Sequence, residues 1–257
     1  MASASQPVFN PANFEENQPI DNPYLPFKPG TTFLYKTYLP GNVLEQIDTV
    51  TVTDKTKQID GVICTVVSDV VTDPKTHKII ENTQDYYAQD KAGNVWYFGE
   101  KSTGGSWTAG KKGASPGIIQ EAHPHIGDSY DEENAPNVAH DHGQVLSLTG
   151  SASVPFGTFN DNLLVVHETT VLEPGAAENK YYAAGVGEVF GVDLVTGEED
   201  RLVSITTDPE NTKLVQAIAG FGASAAPFAT SLVNAAPNDS SLHQMLAAHA
   251  NPHFHNG

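Results

Sequence analysis

Short runs of β-branched and aromatic residues, each closed by turn residues, recur along most of the chain. Residues 32–38, 43–53, 62–71 and 78–89 have the length and composition of strands. Polar and apolar side chains alternate in Asn94-Val95-Trp96-Tyr97-Phe98-Gly99-Glu100 and again over 163–172, 180–192 and 201–206. Pro40-Gly41-Asn42, Asp60-Gly61, Asp73-Pro74-Lys75 and Lys91-Ala92-Gly93-Asn94 supply the turns between neighbouring runs. Strands in series at this spacing predict an all-β fold, an antiparallel meander forming a curved sheet or barrel.

The pattern fails at both ends and once in the middle. Residues 1–30 carry Pro7, Pro11, Pro19, Pro23, Pro26 and Pro29, which deny the backbone the amide donors of a helix or central strand and predict an extended Pro-rich arm. Residues 31–208 form the antiparallel β domain. Residues 209–257 form a tail with short helical segments, started by Pro209-Glu210-Asn211 and spaced by Leu214, Ile218 and Phe221, with a second turn or two over 241–249. The stretch 101–137 is rich in Gly, Ser, Pro and acids and too long for a tight hairpin, so it reads as a lid, a docking loop or an irregular excursion.

Composition narrows the function classes. With 31 Asp and Glu against 13 Lys and Arg, the formal charge of −18 repels phosphate backbones and anionic lipid surfaces, which argues against nucleic acid partners. No stretch approaches the roughly 18–20 apolar residues of a spanning helix, so no membrane insertion is expected. Cys64 is the sole cysteine, within the apolar run 62–67, so neither a disulfide within the chain nor a thiolate metal cluster can form. The opening Met1 to Ser5 has neither the basic start nor the apolar run of a signal peptide. Low Lys content with many Asn, Thr, Gly and Pro nevertheless leads us to expect an exported protein, secreted or periplasmic.

Several segments carry a resemblance. Pro26-Phe27-Lys28-Pro29-Gly30-Thr31-Thr32-Phe33-Leu34-Tyr35, then Asp85 to Asp90 with Gly93 to Glu100, Val154-Pro155-Phe156-Gly157, and Leu172-Glu173-Pro174-Gly175 through Lys180-Tyr181-Tyr182-Ala183 together resemble an uncharacterised family of exported bacterial β proteins. The resemblance spans residues 26–206 and implies a β fold without an activity. In that family the positions of His123 and His140 are not usually histidine, so the histidines here would be a site mounted on the fold.

Those histidines are the candidate chemistry. His123-Pro124-His125 and His140-Asp141-His142 each place two imidazoles two residues apart, on one face of an extended strand. A hairpin with a wide loop would bring the pairs together around a divalent transition metal, copper or zinc first. Asp128 and Asp141 would orient the imidazoles, with Glu132 and His167 as weaker candidates. The turn carboxylates of 90–94 and 193–200 add calcium as a further candidate. A tail cluster of His243, His249, His253 and His255 with Met245 repeats the pairing more loosely.

The leading expectation is therefore an exported metal-binding protein. The alternatives are a metal-free β module that holds a small apolar or sugar ligand through Trp96, Tyr97, Trp107 and the Tyr181/Tyr182 pair, and a metal-dependent enzyme needing an open coordination position. Asp85, Asp90 and Glu100 flank the aromatic hairpin and are expected on its solvated face, with the aromatics in the core.

Overall fold

The computed structural model describes residues 6–102 and 105–207; the tail helices, its histidines and Met245 lie outside the described residues. Within them the long strands arrive in two blocks. The first holds β1 (Thr32–Leu39), β2 (Val43–Ile59), β3 (Val62–Thr72), β4 (Ile79–Gln89) and β5 (Val95–Lys101). The second holds β10 (Asp141–Val154), β11 (Gly157–Thr170), β12 (Ala177–Ala183), β13 (Gly187–Asp193) and β14 (Glu199–Thr206). Between the blocks lie four short strands, β6 (Ser106–Thr108), β7 (Ser115–Gln120), β8 (Ser129–Asp131) and β9 (Glu133–Asn134).

All of them join one antiparallel sheet in the order β8-β10-β11-β12-β13-β14-β1-β2-β3-β4-β5-β7-β9, with β6 also on β5, and the sheet is nearly closed into a barrel. Local turn chemistry sets most of this order. Asp60 and Gly61 both take positive φ, 46° and 85°, which matches the twist of the β2–β3 hairpin they connect. Leu34 and Thr37 mark bulges in β1 where its pairing shifts against β14 and β2, adding local curvature.

The segment 101–137, expected as a lid, a docking loop or an irregular excursion, carries the strands that bring the two ends of the sheet together. The two ends of the strand path, β8 and β9, are consecutive in the chain, linked by Glu132 alone. Gly117 on β7 makes this junction possible. A Cβ there would lie 2.3 Å from the Glu132 carbonyl oxygen and 2.4 Å from that of Asp131. The excursion has no periodicity because its strands are two to six residues long, too short to show one.

The Pro-rich arm also differs from a free extension. After one 3-10 turn, Pro11–Asn13, it lies against the barrel. Phe9 and Phe14 pack on Trp96 and Phe98, and Ile20 and Leu25 are buried. Asn22, 1 % exposed, is its anchor. Its amide donates to the carbonyls of Gly93 (2.9 Å) and Glu121 (3.1 Å), and its oxygen accepts from the backbone N–H of Tyr24 (2.8 Å) and Leu25 (3.2 Å). The Gln89 side chain accepts from the N–H of Asp21 and Asn22 and donates to the Asp21 carboxylate. Prolines leave few backbone donors to satisfy, so side chains fasten this segment.

Candidate ligand cavity

Strand alternation sorts the predicted metal residues onto two sides of the wall. On β8 and β10, Asp131 pairs across the strands with His142, and both are half-exposed on the outside. His142 Nδ1 lies 3.2 Å from Asp131 Oδ1 and its Nε2 2.6 Å from Ser129 Oγ. His140 Nε2 is 3.9 Å from the same Asp131 oxygen. The first pair is elsewhere, in the β7–β8 loop. His123 is exposed, and His125, with its side chain 79 % exposed, sets its Nδ1 3.3 Å from Asp128 Oδ2, which also accepts the His125 backbone N–H.

The period that puts His140 and His142 outside puts Asp141 inside, and Glu132 follows it. They are 2 % and 1 % exposed in the barrel interior, so neither can orient the histidines. His167 is held by Asn179, its cross-strand neighbour, at 2.8 Å. Among the described residues no group of three or more His, Cys, Asp or Glu side chains is placed to hold a metal ion. The structure thus brings His140 and His142 together on one carboxylate and does not bring the two pairs together.

Asp141 and Glu132 belong instead to a belt of acids around the inside of the barrel. Asp48, Asp69, Asp85, Glu100, Glu132, Glu133, Asp141, Glu168 and Glu178 are all buried, and Glu188 and Asp200 continue the belt, bordering an interior cavity. The expectation that Asp85, Asp90 and Glu100 sit on a solvated face is corrected. They are 4 %, 4 % and 1 % exposed. Asp90 is saturated locally, accepting from Ala92 N, Asn94 N, the Asn94 amide and Trp96 Nε1. Asp85 faces inward, where it accepts the Tyr97 hydroxyl at 2.7 Å. Trp96, Tyr97 and Trp107 are core, as expected.

One lysine stands in the belt. Lys180, 2 % exposed, forms an ion pair with Glu168 at 2.6 Å. Burial works against its charge, but Glu168, Glu178 and Glu188 outweigh that and hold the ammonium above its usual range. The acids move the other way. Burial, then the negative charge of Asp69, pushes the Asp48 carboxyl well up; burial, Asp69 and Glu100 do the same to Asp85. Burial raises Glu188 to about 8 against the pull of Lys180, and Asp200 to about 6 although the Thr37 hydroxyl donates to it at 2.5 Å. Burial and mutual repulsion thus both favour the neutral form of these carboxyls.

Part of the belt lines a cavity of ≈ 80 Å³, room for about five waters at ~15 Å³ each. Its wall is the inner face of seven consecutive strands, β12 to β14 and β1 to β4, joined by Ile119 of β7, and the N-terminal segment adds Leu25 and Phe27. The wall residues come in pairs two apart: Phe33 and Tyr35, Asp48 and Val50, Val67 and Asp69, Asp85 and Tyr87, Lys180 and Tyr182. One buried polar atom on it, Asp48 Oδ1, has no hydrogen-bond donor among the described residues; the group its carboxyl meets is another acid, Asp69. Of the aromatic residues named from sequence for ligand binding, Tyr182 alone lines the cavity; Tyr181 packs on Phe190 elsewhere. None of the four paired histidines borders it.

No protein-family model matches the chain, and no curated protein matches it. Two solved structures are similar in shape. One, from Bacteroides fragilis NCTC 9343, is described as an exported protein with a YmcC-like fold; it has 13% identity over 71% of this chain and 98% of its own, with a TM-score of 0.44. The other, described as a lipoprotein of Parabacteroides distasonis ATCC 8503, has 12% identity over 72% of this chain and 99% of its own, with a TM-score of 0.42. At that distance the likeness carries no inference about activity or location.

Proposed function

We propose that the protein is a small-ligand-binding β barrel whose site is the acid- and aromatic-lined cavity under Leu25 and Phe27. The observation that carries this reading is a concave, largely preformed space with aromatic and apolar walls, a few converging polar groups and a buried acceptor, Asp48 Oδ1, that no donor reaches among the described residues, the usual make-up of a ligand site. A buried polar atom without a partner costs about 1–3 kcal/mol, a cost that a bound ligand offsets. The exported location expected from composition belongs to this proposal. Two-dimensional NMR during titration with small fragments of positive, neutral and negative charge tests it. Shifts confined to Val50, Tyr87 and Tyr182 support the reading, and their absence with every charge class refutes it.

A second reading keeps a copper or zinc ion at the outer face of β10, favoured by the convergence of His140 and His142 on Asp131. Zinc and copper titration of the protein and of H140A/H142A tests it, equal affinity of the two ruling it out. The cavity and these histidines lie on opposite sides of the wall, so either reading stands without the other.

A further inference from the structure

We infer that the cavity selects a small organic cation, an ammonium carried on a short apolar body. The inference deepens the ligand-binding reading and rests on it.

Charge balance is the first ground. Six carboxyl groups border the cavity, those of Asp48, Asp69, Asp85, Glu178, Glu188 and Asp200, and Lys180 is the sole cation on the described wall. Lys180 is committed to Glu168, and its charge acts on the β12 to β14 side, on Glu178, Glu188 and Asp200. On the β2 to β4 side the strongest influences on Asp48 and Asp85 after burial are other carboxyls and the Tyr97 hydroxyl. A cation placed there supplies what the wall lacks. An anion would add to the repulsion.

The aromatic lining is the second. Phe27 packs on Phe33 and on Tyr87 at ring separations of 6.1 and 5.3 Å, and Phe33 stacks on Tyr35 at 6.5 Å. With Tyr182 these rings give the cavity apolar faces beside its acids. Ring faces attract ammonium groups, and the attraction strengthens where water is excluded.

An acceptor without a donor is the third. Asp48 Oδ1 receives no N–H or O–H among the described residues and faces the acid Asp69, and an ammonium with its three N–H donors can supply one. A metal ion suits the site less well. It needs its oxygens within about 2.0–2.6 Å of one point, whereas these carboxyls are spread over six strands and no metal-holding group is found among the described residues. A distributed acid wall fits a larger cation.

The test is calorimetric titration of the full chain at pH 7.5 and about 0.15 M salt, where long-range surface attraction is screened. The ligands are n-butylammonium, n-butanol and butyrate, alike in size and different in charge, with NMR shifts at Tyr182 reporting the location. Butylammonium is expected to bind at least tenfold more tightly than butanol, and butyrate not to bind. Asp48→Asn is expected to weaken butylammonium about tenfold and leave butanol unchanged. The ranking on the unmodified protein requires no variant to fold. Butanol or butyrate binding at Tyr182 as tightly as the amine overturns the cation and leaves the cavity as a ligand site; no shift at Tyr182 with any of the three overturns both.

Discussion

Replacing Glu188 by Gln should stabilise the protein at pH 8.5 and leave it nearly unchanged at pH 5. Burial holds the Glu188 carboxyl at about 8, against 4.5 for an ordinary glutamate. A carboxyl with a raised pKa in the fold binds its proton more tightly there than in the unfolded chain. Its stabilising contribution is complete below pH 4.5 and is lost as pH rises through 8. At about 1.4 kcal/mol per pH unit, the full span of roughly 3.5 units sets an upper limit of ~5 kcal/mol. Water in the cavity and protons shared with neighbouring acids reduce the expected effect to about 1–3 kcal/mol. Gln keeps the size and the hydrogen bonding of the neutral acid without an ionisable proton. Urea unfolding of both proteins at pH 5 and 8.5 measures it. The unmodified chain should lose stability on going to pH 8.5, and E188Q should lose less by that amount. Equal losses in the two proteins would refute the burial argument.

Gly117→Ala should destabilise the fold by several kcal/mol, since its Cβ would meet backbone oxygens at 2.3–2.4 Å where β8 and β9 close the barrel, while Gly105→Ala, with open space around it, should be near neutral; thermal unfolding separates them. Asn22→Ala removes two amide donations and the acceptor for the Tyr24 and Leu25 amides, so hydrogen exchange and proteolysis should speed up over residues 6–30, at a cost of about 2–4 kcal/mol at roughly 1 kcal/mol per lost bond. Lys180→Met strands the Glu168 carboxylate 2.6 Å from where its ammonium stood and should cost about 3–5 kcal/mol; adding Glu168→Gln should restore much of that in chemical denaturation, and a double variant no better than the single one would contradict the pairing.

How much of this could be read from the chain depends on element length. The predicted runs 32–38, 62–71 and 201–206 match β1, β3 and β14 within a residue or two, because each is long enough for its β-branched and aromatic content or its alternation to show between turn residues. The run 180–192 is two strands, β12 and β13, turning at Ala184-Gly185-Val186; Gly185 at φ 77° was the signal, masked by tyrosine and valine on both sides. The short strands of 101–137 left no trace.

The cavity was harder to see because it breaks the expectation that acids on alternating strands face water. Asp69 stands among Val66, Val67, Val70 and Val71, and Asp85 two residues before Tyr87, in phase with the apolar side chains of the wall. An acid in phase with the buried residues of a strand was the available clue. The histidine pairs were legible as same-face residues, and β10 does present His140 and His142 together. Their partner carboxylate, Asp131, comes from a three-residue strand no periodicity reveals.

Whether the barrel interior binds a small cation can be seen in a crystal structure grown with n-butylammonium. The nitrogen should lie inside the cavity, within hydrogen-bonding distance of Asp48 on the β2 to β4 side, with the alkyl chain against Phe33, Tyr35 and Tyr87. A cavity holding only water while butylammonium binds the outer surface would contradict that placement.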